Sequence, residues 1–323
     1  MGFLAYQFPN ASIHASTGDW KKSSLDAEPN DHFLLTDFEK KACYYFLPNE
    51  KVNDIHDQEL SFQKRNTVFS ANKEAYLNGL RFFRDGFEGE GIQKAIYSRI
   101  QLMKNEDKAT CYALFLELAD RYKEEALVYL VSDPEWGTWI GATPEILLSG
   151  NEDKIESMAL AGTKKDKDIE WTPKEVEEQQ IVADFMQAII QSHATEFKIT
   201  PTETVKKGAI YHLRTHFSFC LPVNKWNTMI DQLHPTPAVC GTPRDTAMSY
   251  ILDSEPHERA FYTGVIGLKS TTQLKLFVNL RCMQVLDDYF ALYLGGGITP
   301  ASDENAEWEE TENKAKTLLD VVL

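Results

Sequence analysis

"ALVYLVSDPEWGTWIGATPEILLSG", residues 126–150, holds three apolar runs cut by Asp133-Pro134, Gly137 and Pro144. Each run is short and rich in β-branched and aromatic residues, and too few residues separate one from the next to form a helix. They read as consecutive strands joined by tight turns. The pattern extends outward: "QKAIYSRIQL" (93–102) and "KIESMALAGTKK" (154–165) flank it as strands, and "LKLFVNLRCMQVL" (274–286) and "YFALYLGGGI" (289–298) read as two more. Helical periodicity appears in "SANKEAYLNGLRFFRDGFEGEG" (Tyr76, Leu80, Phe83), in "ATCYALFLELADRY", in a long segment from Thr172 to about Ser192, and from about Asp303 onward. Strands follow one another without regular strand and helix alternation, so the expected class is α+β with large, mostly antiparallel sheets. Residues 1–70 carry no motif, and "GDWKKSSLDAEPND" and "LPNEKVNDIHDQ" read there as loops around short strands.

The whole-chain numbers exclude several classes. At 323 residues and 43% hydrophobic, the chain can bury a large core. No apolar run reaches the length of about 18 residues that spans a membrane, and the start lacks a basic segment followed by an apolar one, so a soluble cytoplasmic protein is expected. Five cysteines, odd in number and without a CxxC pair, indicate neither a disulfide framework nor a zinc site. With 49 acids against 33 Lys and Arg, the net charge of −16 argues against nucleic acid, whose phosphates call for clustered bases. A small anion stays possible where local cations or a metal reverse that field.

Two helices each present carboxylates at the edge of the face expected to turn inward. In the long one, Thr172, Pro173 and Glu175 form a capping box, and Ile181, Val182, Phe185 and Ile189 a buried stripe; one turn back lies Glu178, at the edge of the inward face. In the last one, Glu307, Glu310 and Lys314 share a face with Leu318, shortly after Gly295, Gly296 and Gly297. Each acid alone reads as a solvated edge residue. Carboxylates from two helices are also what Mg²⁺ uses, leaving its other positions to water and substrate oxygens, and glycines let backbone N–H groups approach an anion. Further candidates are Lys94 and Arg99 on a strand, Glu145 opening one, and Arg281 inside "LFVNLRCMQV", where an outward-facing strand residue is an equal alternative. His212 reads as readily as a hydrogen-bonded core histidine.

Taken together, "KAIYSR" (94–99), "GATPEILL" (141–148), "LAGT" (160–163), "KEVEEQQIV" (174–182), "HL" (212–213), "HPTPAVCGTP" (234–243), "LFVNLRC" (276–282) and "GGGITPASDENAEWEETENKAK" (295–316) resemble, in order, the motifs of the chorismate-utilising enzymes, and most the isochorismate synthases among them. The resemblance implies that family's α+β fold, two large antiparallel sheets packed together with helices outside. Residues 71–323 would be the chorismate-binding catalytic domain and 1–70 a shortened N-terminal part of the same fold. Carried over by position, Glu178 and Glu307 would ligate Mg²⁺, with Glu310 beside them, directly or through water. Arg281 would pair with the enolpyruvyl carboxylate, with Tyr262 nearby. Gly162, Thr163, Gly295, Gly296, Gly297 and Lys314 would line the carboxylate pockets, His212 would face the ring, and Ala238 would lie in the substrate site.

The reaction so implied is reversible: water adds at C2 of chorismate while the C4 hydroxyl leaves. It needs a base and an acid. Lys94 matches the base and is expected to be kept neutral by burial or neighbouring cations; Glu145 matches the acid and is expected to be kept protonated by desolvation. Lys94 and Ala161 point away from the amino-transferring relatives, so no glutaminase subunit is expected, and the protein is expected to act as a monomer. Salicylate synthase, which goes on to eliminate pyruvate, is the alternative; Ala238 in place of the threonine of eliminating relatives favours stopping at isochorismate. Menaquinone, catechol siderophores and salicylate are all pathways such a product could feed.

Overall fold

A computed structural model describes residues 1–24, 32–55, 59–62, 70–105, 110–207 and 210–322. All of its strands join one antiparallel ladder that folds over itself. One half runs through β13 (Gly241–Thr242), β5 (Lys94–Lys104), β17 (Tyr289–Ile298), β16 (Cys282–Val285), β7 (Gly137–Thr143), β6 (Leu127–Asp133) and β1 (Gly2–Gln7). The other runs through β3 (His32–Thr36), β14 (Val265–Lys269), β15 (Leu274–Val278), β8 (Ile146–Asn151), β9 (Lys154–Lys164) and β12 (Ile210–Cys220), with β10 (Thr195–Ile199) and β11 (Glu203–Lys207) on its far side. β2 (His14–Ser23) and β4 (Cys43–Lys51) connect the halves. The two expected sheets are thus the two halves of one hydrogen-bonded sheet.

Side chains alternating along each strand build the layers. Leu127, Tyr129 and Val131 of β6 point into a central aromatic layer shared with Phe277 of the other half. Val128 and Leu130, between them, face outward beneath α3 (Cys111–Arg121) and α7 (Glu304–Val322). The outer face of the second half is covered by α4 (Pro173–His193) and α5 (Trp226–Leu233), and α1 (Lys73–Asp85), α2 (Phe87–Glu90) and α6 (Arg244–Ser254) cover the β5 end. Among the described residues no helix is long and apolar enough to cross a membrane.

Three expectations change. Gly18–Ser23 and Leu47–Lys51, read as loop, are strand, because their charged side chains sit on the solvent face of β2 and β4; residues 25–31 and 56–58 of those stretches lie outside the described residues. The buried stripe of α4 is Val182, Met186 and Ile190, with Ile181, Phe185 and Ile189 half-buried, so Glu178 falls on the inward line itself. Finally, "LKLFVNLRCMQVL" is two strands: β15 ends at Val278 and β16 starts at Cys282, with Arg281 in the left-handed region at φ +46°.

Candidate active site

The break at Asn279–Arg281 is one of the places where the chain passes from one half of the sheet to the other; Pro144 and Glu145, between β7 and β8, are a second. The two crossings hold each other: Val278 N donates to Glu145 O at 3.0 Å, and Leu280 N to Thr143 Oγ1 at 3.3 Å. Because β16 pairs no further than Cys282 opposite Tyr293, the strand edge from Leu294 to Gly297 is left open on that side while β5 pairs the other. Between these parts lies a cleft of about 770 Å³, solvent-open space included.

Its wall brings together Glu145, Gly162, Thr163, Glu178, His212, Ala238, Tyr262, Arg281, Gly295, Gly296, Gly297, Glu310 and Lys314. Lys94 and Glu307, also expected there, do not line it. Lys94 is fully buried behind Gly297, and Glu307 behind Gly296. Arg99 belongs to the scaffold: it donates to Thr311 Oγ1 at 2.9 Å, pairs with Glu312 and stacks on Trp308 at 4.1 Å, tying β5 to α7.

The glycines are needed for space. A Cβ on Gly297 would lie 2.2 Å from Glu178 Oε1 and 2.9 Å from Lys94 Cε; one on Gly296 would lie 3.1 Å from Glu307 Oε2 and 3.8 Å from Glu310 Oε1. The acids of both helices thus reach one backbone segment. Each holds a lysine: Glu178 with Lys94 at 2.9 Å, Glu310 with Lys314 at 2.6 Å and Glu307 with Lys174 at 2.6 Å. Lys94 Nζ, though close, is not aligned for a hydrogen bond. Lys314 also donates to Gly295 O at 2.9 Å.

Burial, then the neighbouring Glu310, push Glu307 up to about 7 against Lys174 and Ser302, and its Oε2 is buried without a hydrogen-bond partner. Burial works the same way on Glu310, but Lys314 and Lys174 outweigh it and lower that carboxyl. An orphaned carboxylate oxygen beside two more carboxylates is a donor set that suits a hard divalent cation. Among the described residues no three His, Cys, Asp or Glu side chains are arranged to hold an ion unaided, so water or substrate oxygens would have to complete the shell.

On the cleft wall, burial pushes Glu145 up to about 7, against Lys94, Lys314 and Arg281. Burial, Arg281 and Lys314 push His212 down to about 3. Its tautomer follows from its partners: Gly162 O, 2.8 Å from Nδ1, can only accept, and Arg281, 3.3 Å from Nε2, can only donate. The neutral ring therefore carries its proton on Nδ1 and braces the guanidinium through Nε2. Gly162 takes φ +66°, and a Cβ there would stand 3.2 Å from Glu175 Cβ.

Sequence reading did not single out Lys174, or the buried Glu255–Arg259 pair behind the cleft. Arg259 donates to Ile96 O at 2.9 Å and Val239 O at 2.8 Å, clamping two wall segments, and Glu255 accepts from Ser98 N at 2.7 Å. A charge pair four apart, "EPHER", was the available signal.

A sequence model of a family described as chorismate binding enzyme matches residues 40–323. Over 249 residues the chain is 26% identical to Isochorismate synthase EntC of Escherichia coli (strain K12), covering 71% of this chain and 62% of that one. Over 209 residues it is 32% identical to Isochorismate synthase MenF of the same organism, covering 59% and 47%. It thus spans less than two thirds of either relative. The solved structure of MenF, the menaquinone-specific isochorismate synthase from Escherichia coli, superposes with TM-score 0.83 at 19% identity, covering 100% of this chain and 89% of that one. Anthranilate synthase component I from Streptococcus pneumoniae TIGR4 superposes with TM-score 0.71 at 16% identity, covering 98% and 89%. At these identities the likeness establishes the fold.

Proposed function

Because this chain belongs to the chorismate binding enzyme family, we propose that it is an isochorismate synthase, a Mg²⁺-dependent hydroxymutase working as a cytoplasmic monomer without a glutaminase subunit. The reading is carried by Glu145, a carboxyl that burial pushes up to about 7, on the same wall as Arg281 and Lys314. A proton donor facing two cations suits an anionic substrate that must lose a hydroxyl.

Arg281 offers a planar fork for one substrate carboxylate, held in place by neutral His212. Lys314 supplies charge for the other. Glu178, Glu307 and Glu310 would hold the ion, which when bound would neutralise them and anchor a substrate carboxylate. A water oxygen bonds C2 and loses a proton to Lys94 as the C4–O bond breaks and the ring double bonds shift. The departing oxygen takes the proton of Glu145 and leaves as water. To accept that proton Lys94 must be the neutral amine, so it has to part from Glu178 and shed its ammonium proton first. The names of the relatives, isochorismate synthases in both sequence matches, support the same reaction.

The test is incubation of the purified protein with chorismate, with Mg²⁺ or with EDTA, and separation of products. Isochorismate formed reversibly and only with Mg²⁺ is the expected result. Salicylate and pyruvate would identify an eliminating enzyme instead, and no turnover would overturn the assignment.

A further inference from the structure

Glu307 is 1% exposed, and its two oxygens differ. Oε1 accepts from Lys174 Nζ at 2.6 Å, whereas Oε2, with Ser302 close to the carboxylate, makes no well-aligned hydrogen bond and is the atom nearest the Cβ position of Gly296. A buried carboxylate with a free oxygen is costly and tends to turn toward any donor in reach. With Oε1 tied to a cation on another helix, the group cannot rotate without breaking that pair.

We infer that Lys174 is a positioning residue for the divalent ion: from the first turn of α4 it fixes the Glu307 carboxylate of α7 so that Oε2 faces the ion. The inference rests on the metal assignment proposed above. Lys174 and Glu178 lie four apart on α4, so that helix both supplies one ligand and orients the ligand of its neighbour. Lys174 is itself suited to a fixed role: its side chain is only 20% exposed and its ammonium lies 2.6 Å from Glu307 Oε1. Partners behind a metal ligand commonly govern affinity as strongly as the ligand's own geometry does.

The alternative for Lys174 is a competitor, an internal cation that occupies the acids and must be expelled. The two roles predict opposite effects. The experiment is direct Mn²⁺ binding, by the loss of free Mn²⁺ paramagnetic signal, to wild type, Lys174→Met, Lys174→Arg and Glu307→Gln, without substrate. Lys174 is half-buried at the second position of its helix, so Met keeps the stem and packing. Positioning predicts binding about tenfold or more weaker in Lys174→Met and largely restored in Lys174→Arg. Unchanged or tighter binding in Lys174→Met, with binding lost in Glu307→Gln, would overturn the inference and leave the metal assignment standing. Binding equally strong in Glu307→Gln, or no binding by wild type, would overturn both.

Discussion

Lys94 Nζ lies 2.9 Å from Glu178 Oε1, and both side chains fill the space a Cβ on Gly297 would occupy. The proposed base, a proposed ligand and a glycine thus share one small volume. Gly297→Ala is expected to leave the fold intact, because the atoms in its way are the ends of flexible side chains. It should displace both groups by the order of 1 Å, and a shift of that size costs about 10²-fold in turnover. Circular dichroism and kcat/KM measured on the same preparation check this; unchanged kcat/KM would contradict it.

Lys94→Ala is expected to abolish water addition while chorismate still binds, a loss of about 10²-fold or more. Single-turnover product analysis beside equilibrium binding separates the two. Substantial residual turnover would remove Lys94 as the base.

Glu145 titrates near 7 in the folded protein instead of its ordinary 4.5. The forward rate should therefore fall as pH rises through about 7, and Glu145→Gln should lose this limb along with most of the rate. Stability follows the same sign: the folded state retains the proton more tightly, so the contribution of Glu145 is complete below 4.5 and is lost as pH rises through about 7. Thermal melts at pH 8 should show Glu145→Gln more stable than wild type.

His212 moves the other way, from 6.5 to about 3. The neutral ring contributes stability that is complete above 6.5 and is lost as pH falls toward 3. His212→Asn should flatten that part of the melting-temperature profile. It should also raise KM more than it lowers kcat, because Arg281 loses its brace.

Arg281→Lys is expected to raise KM for chorismate about tenfold or more, since a point charge cannot reproduce a two-pronged contact worth about 1.5–3 kcal/mol per hydrogen bond. An unchanged KM would place the carboxylate elsewhere.

Much of this was legible in the sequence for physical reasons. Apolar runs cut by turn residues in 126–150 and the capping box at Thr172 are local signals, and they give β6, β7, β8 and the start of α4. Glu178, Glu307 and Glu310 stood out as acids at the inner edges of two helices. What was not legible depends on tertiary contacts. Arg281 lies between two apolar runs that look continuous, and only the crossing between sheet halves forces its positive φ. Lys174 looks like any lysine in a first helical turn, where nothing local announces a glutamate 133 residues away. Gly18–Ser23 and Leu47–Lys51 failed for the opposite reason, a solvent face polar enough to disguise strands.

The continuous ladder has a colloidal consequence. At one end of the ladder β13 pairs β5 at Lys94 and Ala95 alone, and farther along β5 the outward N–H groups are taken up locally, Ile96 N by Cys240 O, Ser98 N by Glu255 Oε1 and Leu102 N by Ser70 Oγ. The other is formed by β10 and β11, five residues each, with exposed Glu196, Lys198, Glu203 and Lys206. Charges along so short a border oppose recruitment of a strand from another molecule, and a net charge of −16 keeps copies apart at longer range. A protein whose strands all belong to one hydrogen-bonded sheet therefore presents little template for polymerisation, and should remain dispersed at the concentrations its enzymology requires.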